Sequence, residues 1–122
     1  MTLPIAQGPE GQETPALDPE LKLKLDRLVQ ENDLVLFMKG NPDAPQCGFS
    51  ARAAEVYKAI GRPFEFVNVL EQPDMMQYIR AVAEWADWPT LPQCWVKGEL
   101  IGGSDVALEM YQNGELQAML DE

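Results

Sequence analysis

Leu34-Val35-Leu36-Phe37-Met38 is an unbroken run of apolar side chains. A half-exposed strand would alternate apolar and polar residues, and a helix would need more length, so this run reads as a strand covered on both faces. Such a strand belongs inside a sheet with other elements packed above and below it, and the rest of the chain has to be arranged around it. Lys39 to Gln46 follows, with Gly40, Pro42 and Pro45, and reads as a loop whose restricted backbone fixes where Cys47 is presented. Beyond it Phe49, Ala53, Val56, Tyr57 and Ile60 fall at helical spacing as one apolar stripe, and Gly61 is placed to cap the helix end.

A strand that feeds a helix through a cysteine presents a thiol where an anion is favoured. The first N–H groups of a helix have no internal partner and carry the positive end of its dipole, worth up to about 2 kcal/mol to a partly buried charge. Lys39 adds a cation at the end of the strand, so the thiolate of Cys47 is expected to form readily. A dithiol redox motif would carry its second cysteine three residues on, where this chain has Ser50. A hydroxyl cannot take over a mixed disulfide. Lone cysteines are more often core residues than reactive ones, but Gly48 opens access to Cys47. Cys94 lies in the apolar stretch Gln93 to Val96 and reads as a small core hydrophobe.

The remaining bounds come from the whole chain. Its 122 residues suit one domain. Acidic residues number 20 against 9 basic ones, a formal charge of −11, which argues against a nucleic-acid partner. With no histidine, imidazole-based nucleophile pairs and the commonest zinc sets are excluded. Two cysteines form no disulfide framework, and the absence of a secretory pattern fits a cytoplasmic setting where Cys47 stays a thiol. No apolar run reaches membrane-spanning length. Residues 1–17 hold Pro4, Pro9, Pro15, Gly8 and Gly11 and no basic residue, so they read as a disordered tail before a single domain over 18–122.

Within that domain Asp18 and Pro19 start a helix whose apolar face is Leu21, Leu25, Leu28 and Val29. Phe64 to Val69 is a second strand, and Met75, Ile79, Val82, Ala83 and Ala86 share the face of a third helix. Gln93 to Lys97 and Leu100 to Ile101 form a hairpin around Gly98-Glu99. Gly102 and Gly103 allow close backbone approach, and Ser104 or Asp105 can cap the next helix before a last short one from Glu115 to Leu120. A strand-helix-strand crossover followed by a hairpin gives an α/β domain: a small mixed four-stranded sheet flanked by about five helices.

Four linked motifs now carry a resemblance. Phe37-Met38-Lys39-Gly40, Pro45-Gln46-Cys47-Gly48-Phe49-Ser50, Trp88-Pro89-Thr90-Leu91-Pro92-Gln93 and Lys97-Gly98-Glu99-Leu100-Ile101-Gly102-Gly103-Ser104-Asp105 stand in the order found in monothiol glutaredoxins of the Cys-Gly-Phe-Ser class. The chain resembles that family from about Pro19 to Leu120, and the resemblance implies a thioredoxin-like fold. It implies a glutathione site formed by Lys39, Cys47, Phe49, Arg80, Thr90, Leu91, Pro92, Gly103, Ser104 and Asp105. In that site the Leu91 backbone pairs with the tripeptide beside a cis Pro92, Lys39 holds one carboxylate with help from Arg80, and Ser104 and Asp105 take the other end. The chain differs from the family in having Ser104 where cysteine is frequent, and in a Pro73 to Trp88 segment about one turn longer.

Two functions are implied by the resemblance. In the first, Cys47 is a metal ligand: a homodimer holds a labile 2Fe-2S cluster through two Cys47 thiolates and two glutathione thiols, and serves iron-sulfur cluster assembly, transfer and iron homeostasis. Apo iron-sulfur proteins would receive the cluster, and a BolA-like protein would be a partner. Ligand number agrees, since such a cluster takes four thiolates and one cysteine per chain supplies two in a dimer. In the second, Cys47 is the catalytic thiol of a glutathione-dependent oxidoreductase that removes glutathione from proteins by a monothiol route.

Overall fold

The computed structural model describes residues 16–122, so the expected tail lies outside the described residues apart from Ala16 and Leu17. Leu17 packs against the edge of the core. Helix α1 (Pro19–Glu31) begins as the sequence dictates: the Asp18 carboxylate accepts the Leu21 N–H at 2.8 Å and Pro19 takes the first turn. Strand β1 (Leu34–Met38) follows, then α2 (Gly48–Ile60), which ends on Gly61 in the left-handed conformation. Next come β2 (Glu65–Asn68), a short 3-10 turn (Val69–Glu71), α3 (Met75–Ala86), β3 (Gln93–Val96), β4 (Glu99–Gly102), α4 (Ser104–Gln112) and α5 (Glu115–Leu120).

The sheet order is β2-β1-β3-β4, with β1 parallel to β2 and antiparallel to β3, and β3 antiparallel to β4. Leu36 stands opposite Phe66 on one side and Cys94 on the other. All five residues of β1 are fully buried. Leu34, Leu36 and Met38 pack with Ala53, Tyr57, Ala107 and Leu116 beneath α2, α4 and α5, whereas Val35 and Phe37 pack with Leu25, Val29 and Val82 of α1 and α3. Strand alternation thus sends one residue set into each of two cores. Each fully buried apolar side chain contributes about 1.5–3 kcal/mol. Among the described residues, the mixed four-stranded sheet with five flanking α-helices matches the expected architecture.

Three local expectations change. The buried face of α3 centres on Ala81 and Val82, with Tyr78, Trp85 and Ala86 packed on the core, rather than on Met75, Ile79 and Ala83. The cause is Trp85: its Nε1–H donates to Asp26 at 2.9 Å and its ring stacks on Trp95 at 4.6 Å, which turns the helix toward its aromatic side. The hairpin turn is Lys97-Gly98, both at positive φ, one residue earlier than expected, because such a mirrored turn matches the twist of the two strands. Between β1 and α2 the loop also closes a two-rung ladder of Gly40–Asn41 with Ala44–Pro45.

Among the described residues no helix is long and apolar enough to cross a membrane. If β1 anchors both cores, Leu36→Ala should lower unfolding free energy by about 2–5 kcal/mol, while Leu23→Ala, at a side chain 55% exposed, should change it by less than about 0.5 kcal/mol. Urea titrations of the two variants check this, and equal midpoints would contradict it.

Candidate functional site at the start of the second helix

Cys47 is the residue that opens α2, held in extended backbone at φ −159° and ψ 142°. Its position is set by hydrogen bonds as well as by the prolines. The Ser50 hydroxyl, fully buried, accepts the Lys39 N–H at 3.0 Å, and the Lys39 carbonyl accepts the Gln46 N–H at 2.9 Å. Gly40 donates to the Asn68 side chain at the end of β2 at 2.9 Å. Gly40 has φ +94°, and a Cβ there would stand 2.7 Å from the Ala44 carbonyl, so only glycine lets the ladder close so tightly. Ser50, read from the sequence as a missing thiol, is therefore also the tie between strand and helix. The i+3 spacing carried that signal only once the strand end was known to lie beside the helix.

The Cys47 thiol is half-buried, and that burial works against its anion. The N–H groups of Ser50 and Phe49, the Ser50 hydroxyl and the charge of Lys39 outweigh it and hold the thiol below its ordinary range. Cys94 is the opposite case. Burial in β3 pushes its thiol up to about 12, only partly opposed by the Tyr57 hydroxyl, so it stays protonated and inaccessible.

Beside α2 opens a cleft of about 440 Å³, lined by Phe49, Trp88, Thr90, Leu91, Pro92, Gly103, Ser104, Asp105 and Val106. Seven of the residues expected at the site line it: Phe49, Thr90, Leu91, Pro92, Gly103, Ser104 and Asp105. The Leu91–Pro92 peptide is cis. Cys47 and Lys39 stand outside the lining, Cys47 two residues before Phe49 at the helix start. Arg80 is exposed on α3 and is not part of the lining. Phe49 is 62% exposed and lines the cleft, so it leaves the apolar stripe of α2, which Ala53, Val56, Tyr57 and Ile60 bury.

At the far end of the cleft Gly103, not Ser104 or Asp105, is the capping residue of α4. Ser104 is buried in the first turn, and Asp105 holds its carboxylate out at the rim, 80% exposed. Gly102 has φ +133° and a Cβ there would meet Val106 at 3.1 Å, so its glycine serves the approach of β4 to α4, while Gly103 has ordinary room. Trp88 and Val106 line the cleft without having been singled out as site residues. For Trp88 the signal was there in its place on the Pro89–Pro92 loop, and its Nε1 is buried with no hydrogen-bond partner among the described residues. The arrangement offers a thiol whose anion is favoured by its neighbours, an apolar groove of ligand size, and a helix start suited to a carboxylate.

Comparison with known proteins gives a consistent result. The model of the family described as Glutaredoxin matches residues 34–101. An uncharacterized monothiol glutaredoxin, ycf64-like, of Synechocystis is 46% identical over 105 residues, 86% of this chain and 95% of that one. Glutaredoxin 4 of Escherichia coli K12 is 49% identical over 100 residues, 81% of this chain and 84% of its own length. Among solved structures, reduced poplar apo GrxS14 superposes with TM-score 0.72 at 43% identity, covering 87% of this chain and 94% of that one. A buckwheat glutaredoxin–glutathione complex does so with TM-score 0.70 at 27% identity, covering 82% and 86%.

Alkylation of native protein with iodoacetamide should modify Cys47 and spare Cys94 until the protein is unfolded. Because the rate follows the thiolate fraction, the depressed Cys47 pKa puts its half-maximal rate at lower pH than for a free thiol. Ser50→Ala should move that midpoint upward, and a midpoint that stays put would refute the role given to the hydroxyl.

Proposed function

The chain belongs to the glutaredoxin family as one of its monothiol members, and from that premise we propose that it binds glutathione and carries a labile 2Fe-2S cluster shared between two copies. The observation that carries this reading is the inequality of its two cysteines. Among the described residues there is no group of three or more His, Cys, Asp or Glu side chains that could hold a metal ion, and Cys94 is sealed in the sheet. Cys47 alone can offer a thiolate at the surface, so a four-thiolate cluster needs a second chain and two thiols from elsewhere.

Glutathione fits the donor set beside Cys47. A cleft of about 440 Å³ is of the size that encloses a small ligand. In the proposed arrangement the Leu91 backbone pairs with the tripeptide, with Thr90 and Pro92 forming the wall, while Phe49 covers its apolar part. Lys39, assisted by Arg80, takes the glycyl carboxylate. Gly103, Ser104 and Asp105 take the γ-glutamyl end, the helix N–H groups meeting its carboxylate and the Asp105 side chain its ammonium. The ligand thiol is thereby brought to Cys47. One similar structure is itself a glutaredoxin–glutathione complex, which supports glutathione as the ligand.

Two of the four ligands being exchangeable small molecules makes the cargo easy to release, which suits cluster assembly, delivery to apo iron-sulfur proteins and iron homeostasis, with a BolA-like protein as partner. A reducing compartment such as the cytoplasm keeps Cys47 a thiol for this work. The depressed thiol pKa and Ser50 favour a second reading, protein deglutathionylation. There the Cys47 thiolate attacks the glutathione sulfur of a protein–glutathione disulfide, the S–S bond breaks, and the protein leaves as its thiolate. A glutathione thiolate then attacks the Cys47–glutathione disulfide, giving glutathione disulfide and free Cys47.

Reconstitution with iron, sulfide and glutathione without oxygen should give a coloured species in wild type and in Cys94→Ala, and none in Cys47→Ser. Loss of the absorbance in Cys94→Ala, with its fold intact by circular dichroism, would remove the glutathione-ligated reading.

A further inference from the structure

The Arg52 guanidinium of α2 donates from one terminal nitrogen to Oδ1 of Asp105, a cleft-lining residue in the first turn of α4, at 3.0 Å. The two residues lie 53 positions apart in sequence, so the contact joins the helix that presents Cys47 to the helix that forms the far end of the cleft. Arg52 is not in the cleft lining. It faces the neighbouring groove with Glu55, Val56, Ala59, Leu108 and Tyr111. Only one carboxylate oxygen is engaged, and Oδ2 of Asp105 has no hydrogen-bond partner among the described residues. A carboxylate accepts at both oxygens, so an ion pair through Oδ1 leaves Oδ2 of this cleft-lining residue available to a cation.

Resting on the glutathione reading above, we propose that Arg52 is a positioning residue which holds the Asp105 carboxylate in place for the ammonium of a γ-glutamyl ligand. A side chain 80% exposed would otherwise sample several rotamers, and binding would have to freeze them. The guanidinium fixes the carboxylate before the ligand arrives. It also ties the start of α4 to α2, which keeps the distance between the thiol and the ammonium site constant. In an acidic protein this cation is placed to act locally rather than through net charge. Specificity follows: the contact favours ligands with an ammonium at the γ-glutamyl end over otherwise identical ligands without one.

Calorimetric titration of glutathione into the full chain tests this. Arg52→Gln should weaken binding about 2–5-fold, the range of exposed ion pairs, with part of the loss restored in Arg52→Lys and most of it erased at high salt. In an Asp105→Asn background Arg52→Gln should have no further effect, and a glutathione analogue lacking the γ-glutamyl amino group should bind both Arg52 forms alike. Unchanged glutathione affinity in Arg52→Gln, or an equal loss with the deaminated analogue, would overturn the role of Arg52 alone. Failure of wild type to bind glutathione at all would overturn the functional reading beneath it.

Discussion

Because the strand Leu34 to Met38 has no solvent-facing side, it has to be covered by helices on both faces and paired on both edges, and each of those requirements places an element. The side chains of Leu34, Leu36 and Met38 draw α2, α4 and α5 together, and those of Val35 and Phe37 draw α1 and α3. Where the strand ends, its direction is passed on without slack: the Lys39 N–H reaches the Ser50 hydroxyl and the Lys39 carbonyl receives Gln46. Cys47 is thus located by the same strand that organises the core. A reactive thiol gains from this, because the dipoles that stabilise its anion are fixed before any ligand binds.

The site works electrostatically in a protein whose formal charge is −11, and range explains why. Charges separated by more than about 8–10 Å are largely screened at physiological ionic strength, whereas the Ser50 and Phe49 N–H groups act at contact distance on the sulfur. Local donors and one lysine therefore decide the state of Cys47, and the surplus of carboxylates around the surface does not. At Cys94 burial prevails, opposed only in part by the Tyr57 hydroxyl, and the group stays a thiol. Two cysteines in one small domain are given different chemistry by their surroundings.

Much of this was legible in the sequence because periodicity reports burial. The apolar run of β1, the Asp18-Pro19 start, the Gly61 stop and the strand-helix-strand-hairpin order all follow from side-chain pattern and turn chemistry, and the linked motifs gathered most residues of the cleft. What the pattern did not carry were contacts made across the fold. The apolar stripe of α2 extended formally to Phe49, but that ring turns out to the cleft while Ser50 beside it is buried. Hydrophobicity placed Ile79 and Ala83 inside α3, where an Asp26–Trp85 hydrogen bond between distant residues sets the rotation instead. Ser50 read only as the absence of a second thiol, and Arg52 carried no signal, until their partners, Lys39 and Asp105, were brought beside them.

The proposed function rests on one thiolate per chain, placed at the start of α2, holding a shared cluster together with glutathione. Its most direct test is the content of iron, acid-labile sulfide and glutathione per chain, measured with molecular mass on anaerobically prepared protein. About one of each per chain in a dimer is the predicted result. A metal-loaded monomer, or a loaded dimer without glutathione, would contradict it.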